Sequence, residues 1–250
     1  MIILKSPSEI DLMKESGKIA ARALKLAGEA VTPGVTTEYL DELVGKYLVS
    51  QGATSSSLGY GGFPKNCCIS VNNEVIHGIP SDKKVLKNGD IVSIDICSKF
   101  KDFHTDNAYT FPCGDVPENA KKLMEATKNG LYEGIKAARV GSRIGDISHA
   151  IERYVTARGY SVVREFVGHG VGAQLHEDPS VPNYGKPGHG PRLVSGMTIA
   201  IEPMINEGTE KVTVSDDDWT VFTADGKLSA HFEHTVAITP EGPLIITNPD

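Results

Sequence analysis

No apolar run in the 250-residue chain approaches the roughly 20 residues that cross a bilayer, so a membrane-spanning helix is excluded at the outset. An apolar leader is missing as well. The start, MIILKSPSEIDLMKES, turns polar and acidic at once and offers no small-residue cleavage site, which argues against secretion. Cysteine is scarce: four residues, at 67, 68, 97 and 113, with no C-x-x-C pair. Such spacing suits neither a zinc ribbon nor a disulfide framework, and fits free thiols in a reducing cytoplasm. Positive charge is not in excess either, because 25 Lys and Arg stand against 32 Asp and Glu, a net charge of −7. Direct nucleic-acid binding needs a basic face and is not expected; a small basic patch for a ribosomal partner stays open. What remains is ordinary globular composition, 40% hydrophobic and 23% charged, in a chain long enough to bury a sizeable core.

The organisation shows in an internal repeat. Residues 85–96 read VLKNGDIVSIDI and residues 192–203 read RLVSGMTIAIEP. Both are L-x-x-G followed by an apolar-rich run that ends in a carboxylate, Asp95 or Glu202, 107 positions apart. The same offset maps Leu86 to Leu193, Gly89 to Gly196, Gly34 to Gly141 and Gly52 to Gly159. Between the glycines, Leu40, Leu43, Val44, Tyr47 and Leu48 match Ile144, Ile147, Ile151, Tyr154 and Val155 as one-faced helical stripes. Gly52 and Gly159 stand where a left-handed residue closes the last turn. Ser6-Pro7-Ser8-Glu9 reads as a capping box opening a first helix, and the second half opens near Pro117. Strands are predicted at 67–71, 75–77, 91–97, 107–112, 162–167, 197–202, 219–224 and 232–239. Four long helices with many short strands predict an α+β fold, a curved antiparallel sheet covered by helices. We read residues 1–250 as one catalytic domain of two pseudo-twofold halves, about 1–115 and 116–250.

Two strands ending in carboxylates place Asp95 and Glu202 together across the pseudo-axis, where they repel unless a cation lies between them. Asp106 follows Asp95 by eleven residues across the apparent hairpin CSKFKDFHTD. In AHFEHTVAI, alternation turns Phe232, His234 and Val236 one way and Glu233 and Thr235 the other. His169 lies in VGHGVG, whose glycines let an imidazole face a crowded centre. Four carboxylates and one imidazole make a hard, oxygen-rich site suited to a pair of Mn, Fe, Co or Zn ions rather than to structural zinc. His104, His149, His189 and His231 read as surface or structural residues.

With these residues in view, the chain resembles the methionine aminopeptidases from about Lys5 to Ile245. The resemblance rests on LGYGGFPKNCCISVNNEVIHGIP, IVSIDI followed by HTD, GHGVG with LHEDP, YGKPGHGPRLVSGMTIAIEPM, and FEHTVAIT. It implies the pita-bread fold and a dinuclear site for Co, Mn, Fe, Zn or Ni, held by Asp95, Asp106, His169, Glu202 and Glu233, with Asp106 and Glu233 bridging. It further implies catalytic roles for His77, His176 and Glu202, and a methionine pocket formed by Tyr60, Phe63, Cys68 and Trp219, with His77 and His176 also touching substrate. Only 31 residues separate Glu202 from Glu233, which resembles the bacterial type I form. Ser57, Gly61 and Leu175 depart from a common bacterial pattern of cysteine, histidine and phenylalanine, and predict a roomier pocket mouth. The resemblance implies removal of initiator methionine before a small second residue, from peptides and nascent chains; the cytoplasmic location is the reading of the free thiols, and a monomer is the simplest reading of the chain. The rivals are a proline-directed peptidase of the same fold, which usually carries an additional N-terminal domain, and a catalytically silent binding protein on this scaffold.

Overall fold

The computed structural model describes residues 1–249. Helix α1 (Pro7–Glu29) begins where the capping box predicts: Glu9 N–H donates to Ser6 Oγ (3.3 Å) and Ser6 N–H donates to Glu9 Oε2 (2.7 Å). Along one face Ile10, Met13, Gly17, Ala20, Leu24 and Ala27 are all buried, the spacing of a helix with one side in the core. Helices α2 (Thr37–Ser50), α3 (Glu118–Ala137) and α4 (Ile144–Thr156) complete the set.

The repeat at 107 positions is repeated in backbone detail. Gly34 and Gly141 adopt φ of 94° and 93°, Gly52 and Gly159 adopt 72° and 82°, and Gly89 and Gly196 adopt 98° and 92°. Gly34 N–H donates to the Leu86 carbonyl (2.8 Å) and Gly141 N–H to the Leu193 carbonyl (2.9 Å). The return bonds, Leu86 N–H to Val35 and Leu193 N–H to Ser142, correspond too. Matched glycines thus mark matched left-handed turns, where a Cβ would be strained.

Every sheet pairing is antiparallel among the described residues. In the first half a long hairpin, Ile91–Phe100 with Phe103–Pro112, turns at Lys101 and Asp102. Both turn residues have positive φ (47° and 69°), the backbone that a two-residue turn between twisted strands requires. Cys68–Val71 pairs with the hairpin's first strand and sets Cys68 opposite Asp95. In the second half Thr198–Ile201 lies between His234–Thr239 and Gly168–Gly170. Each half has its own core: Leu24, Leu40, Leu48, Ile69 and Ile94 in the first, Leu123, Ile147, Ile151, Ile199 and Phe232 in the second, with Tyr109 packed against both.

Two predicted strands need correction. Of 162–167 only Val162 lies in a strand, Ser161–Val162; Val163 N–H still donates to the Met204 carbonyl (3.1 Å), after which the chain leaves the sheet toward Phe166 and Val167. The run 232–239 forms its strand only from His234: His234–Thr239 pairs with Thr198–Ile201, and the separate strand Ser229–His231 before it pairs with Met204–Asn206. Pro203, which has no N–H for a ladder, interrupts the facing strand at the same level. Glu202 and Glu233 therefore both stand where strands change sheet. Strands at 177–181, 204–206, 212–214, 229–231 and 242–245 carry too short or too polar a pattern to be read in advance.

His77 follows the strand Glu74–Ile76 with a φ of 59°, unusual for a non-glycine residue. The next residue, Gly78, donates its N–H to Ser70 Oγ (3.0 Å) and accepts at its carbonyl from Ile69 (2.8 Å). A Cβ at Gly78 would lie 2.3 Å from the Ile69 carbonyl oxygen, a backbone atom that cannot swing aside. Gly78→Ala is expected to destabilise by about 1–3 kcal/mol through overpacking, read as a lower urea midpoint, and to shift His77.

Candidate metal centre

The two halves close on a cavity of about 310 Å³, at the low end of small-molecule sites (roughly 300–1,000 Å³). Asp95, Asp106, His169, Glu202 and Glu233 all line it, as do His77, His176, Tyr60, Phe63, Cys68 and Trp219. The hairpin supplies Asp95 and Asp106, the glycine-flanked strand His169, and the two sheet-changing bends Glu202 and Glu233. Gly168 and Gly170 are required by backbone contact: a Cβ at either would come within 2.4 Å of a carbonyl oxygen.

Two overlapping groups of donor atoms lie within 4.8 Å of one another: Asp95, Cys97 and Asp106, and Asp106, His169 and Glu233. Asp106 belongs to both. His169 Nε2 stands 3.7 Å from Asp106 Oδ2 and 3.5 Å from Glu202 Oε1. Its Nδ1–H donates to the Gly170 carbonyl (2.8 Å), so Nε2 is the nitrogen turned to the carboxylates. The backbone of Asp106 is held by a reciprocal pair with Thr235 Oγ1 (2.9 and 2.8 Å), and Asn183 donates to the Glu202 carbonyl (3.0 Å).

The electrostatics are those of a site built for cations. Burial, and then the charge of Asp106, push Asp95 and Glu233 well above the carboxylate range. Burial lifts Glu202 to about 8. Asp106 also suffers burial, but its hydrogen bond and charge interaction with His169 carry it down to about 2. His169 rises to about 9 because Asp106 and Glu202 outweigh its burial. Glu233 Oε1 is buried with no hydrogen-bond partner. An orphaned carboxylate oxygen and three carboxyls driven toward protonation are what a donor set becomes when its counter-charge is left out, so these residues fit divalent metal.

Beside the donors lies an aromatic wall. Phe63 meets Trp219 edge-on with centroids 5.1 Å apart, and His77 meets Trp219 at 6.1 Å. His176 lies 4.1 Å from His169 and 5.1 Å from Tyr60, at the cavity's exposed side. Partial burial and the neighbouring His169 bring His176 down to about 4, and burial lowers His77, so both rings are neutral near pH 7. Ser57 and Leu175 line the same space, and Gly61 abuts Trp219: an added Cβ there would lie 3.2 Å from a ring carbon.

Several residues escaped the sequence reading. Cys97 donates its thiol to Asp106 Oδ1 (3.1 Å); its position two residues after Asp95, on the same strand face, was the available signal. Phe166, Ile76 and Val167 line the cavity without any signal in their spacing. His231, one of the four histidines set aside, is buried, its Nε2 3.9 Å from Glu233 Oε2.

Residues 11–240 match metallopeptidase family M24. A methionine aminopeptidase of Clostridium perfringens (strain 13 / Type A) is 54% identical over 247 residues, 99% of either chain. The chain belongs to this family, among its methionine aminopeptidases. Methionine aminopeptidase 1 of Bacillus subtilis (strain 168) is 49% identical over 247 residues, again 99% of either chain. The crystal structure of methionine aminopeptidase from Thermotoga maritima superposes with a TM-score of 0.98 at 45% identity, covering 99% of this chain and 100% of that one. This is the pita-bread fold. An Xaa-Pro dipeptidase from Bacillus anthracis shares the fold alone, with a TM-score of 0.78 at 24% identity, and this chain covers 62% of its length.

Proposed function

We propose that this metallopeptidase removes N-terminal methionine from peptides and nascent chains whose second residue is small. The observation that carries the reading is the adjoining of the carboxylate–His169 donor cluster to the Phe63–Trp219 wall in one cavity. Aromatic rings and the Cys68 thiol suit a flexible thioether, since sulfur–aromatic contacts add to burial.

Two divalent ions would be held by Asp95, Asp106, His169, Glu202 and Glu233, of which Asp106 is common to both donor groups. When bound, such ions act as Lewis acids toward the scissile carbonyl and make a water nucleophilic at neutral pH. Glu202, whose carboxylate lies 3.5 Å from His169 Nε2 among the donors, is placed to take a proton from the attacking water and pass it to the leaving nitrogen. His176, neutral, would donate a hydrogen bond to the scissile carbonyl oxygen, whose negative charge grows during attack. His77, held by the constrained turn at Gly78, would bond the scissile nitrogen or the following backbone. Tyr60, Phe63, Cys68 and Trp219 would enclose the methionine side chain.

The test is release of free methionine from Met-Ala-Ser and Met-Lys-Ser by the metal-loaded protein. Cleavage of the alanine peptide, with the lysine peptide at least about 100-fold slower in kcat/KM, is expected. Release from an Xaa-Pro peptide instead would move the assignment to the proline-directed enzymes, and no release with any metal would favour a binding protein.

A further inference from the structure

Strand alternation gives the hairpin and the strand His234–Thr239 a second face. Asp106 and Glu233 point into the metal cavity; the next residues in the chain, Asn107 and His234, line a separate cavity of about 340 Å³ behind it. The two cavities share no lining residue. The rear one is walled by α1 (Ala21, Leu24, Lys25), the hairpin strand (Asn107, Tyr109, Phe111), α3 (Lys128, Tyr132) and the segment from Ile245 to Pro249.

Its chemistry is asymmetric. Leu24, Phe111 and Ile245 make an apolar body, and no carboxylate lines it among the described residues, although the whole chain carries net charge −7. Two lysines line it: Lys25, exposed on α1, and Lys128, whose Nζ donates to Tyr109 Oη (3.1 Å) and lies 5.2 Å from that ring's centroid. His234 is already used, since Nδ1 meets Thr247 Oγ1 at 2.9 Å and Nε2 meets Tyr132 Oη at 3.4 Å. Asn107 is not. It is 1% exposed and its Oδ1 is buried with no hydrogen-bond partner. A buried amide oxygen without a donor is costly, and natural interiors rarely keep one unless a water or ligand completes it.

We propose that this rear cavity is a second binding site, for a small aromatic or apolar carboxylate that also carries an N–H or O–H donor. The carboxylate pairs with Lys128 and Lys25, the apolar body rests on Leu24, Phe111 and Ile245, and the donor completes Asn107 Oδ1. A ligand seated there contacts residues one peptide removed from Asp106 and Glu233.

Indole-3-acetate, which has the ring, the N–H and the carboxylate, is the probe, titrated calorimetrically into the metal-loaded protein. Binding is expected to weaken at least tenfold in Lys128→Met, to be lost in Ala21→Phe, which fills the cavity from α1, and to be unchanged in Phe63→Ala, which alters only the front cavity. Indole, lacking the carboxylate, is expected to bind at least tenfold more weakly. Lys128→Met keeps a good helix former at a half-buried position, so retained methionine release and melting temperature show that it folds. Equal affinity in wild type and Lys128→Met, loss of binding in Phe63→Ala, or no binding at millimolar indole-3-acetate would each overturn the assignment.

Discussion

Glu202→Gln is expected to lower kcat for Met-Ala-Ser by about 10²–10⁴-fold, the usual range for loss of a positioned proton-transfer group. The substitution keeps the side chain's size, so the bend before Pro203 and the bond from Asn183 to the Glu202 carbonyl survive. It removes the ability to accept a proton, because an amide cannot. The Glu202 carboxylate can take and release a proton during turnover, whereas a glutamine has nothing there to titrate. KM should move far less than kcat, since the aromatic wall that would hold methionine is made by other residues. Glu202 would also be a ligand, so metal content must be measured alongside. A fully metal-loaded variant that keeps kcat within tenfold of wild type would remove Glu202 from the proton relay.

Chelation with EDTA is expected to abolish methionine release, with activity restored by Mn(II) or Co(II). It should also leave a pH signature in stability. Glu202 moves from 4.5 to about 8 and His169 from 6.5 to about 9, so each holds its proton in the metal-free fold over a range where the unfolded chain has released it. Stability from these protons is complete below the unfolded values and is lost as pH rises through the folded ones. Asp95 and Glu233, also raised, act in the same direction. His231 and His234, lowered to about 4 chiefly by burial, act oppositely, but only between about 4 and 6.5. Asp106, lowered to about 2, matters only below 3.8. Above pH 6.5 the raised groups are therefore unopposed. One retained proton is worth about 1.4 kcal/mol per pH unit, and one kcal/mol moves the melting temperature of a domain this size by about 2–4 °C. The metal-free protein should melt roughly 5–10 °C lower at pH 8 than at pH 6.5, while the metal-loaded protein changes little. Parallel curves for the two forms would mean that the cavity carboxylates are not the source.

Much of this was legible in the residues. The 107-residue offset marked the paired glycines, helices and carboxylate-ending strands because each depends on local chemistry: a left-handed turn, a 3.6-residue stripe, an alternating strand. The five candidate donors were legible only in part from spacing. Asp95 and Glu202 stand out as a symmetric pair, but Asp106, His169 and Glu233 depend on motifs recognised from a family. The short strands around Met204, Val212 and Ser229 were not legible, since three residues carry no periodicity and exist only because a neighbour supplies their hydrogen bonds.

By itself, the sequence determined the helices, the glycine turns repeated at a 107-residue offset, the candidate donor residues and the family to which the chain belongs. The tertiary structure decided that Pro203 and the break at Phe232–Glu233 turn two carboxylates inward, that Cys97 reaches Asp106, and that Asn107 and Lys128 meet behind the sheet. The physical reason is range. Turns, caps and amphipathic faces are set by neighbours a few residues away, whereas a cavity's charge balance is the sum over groups that only the folded chain brings together.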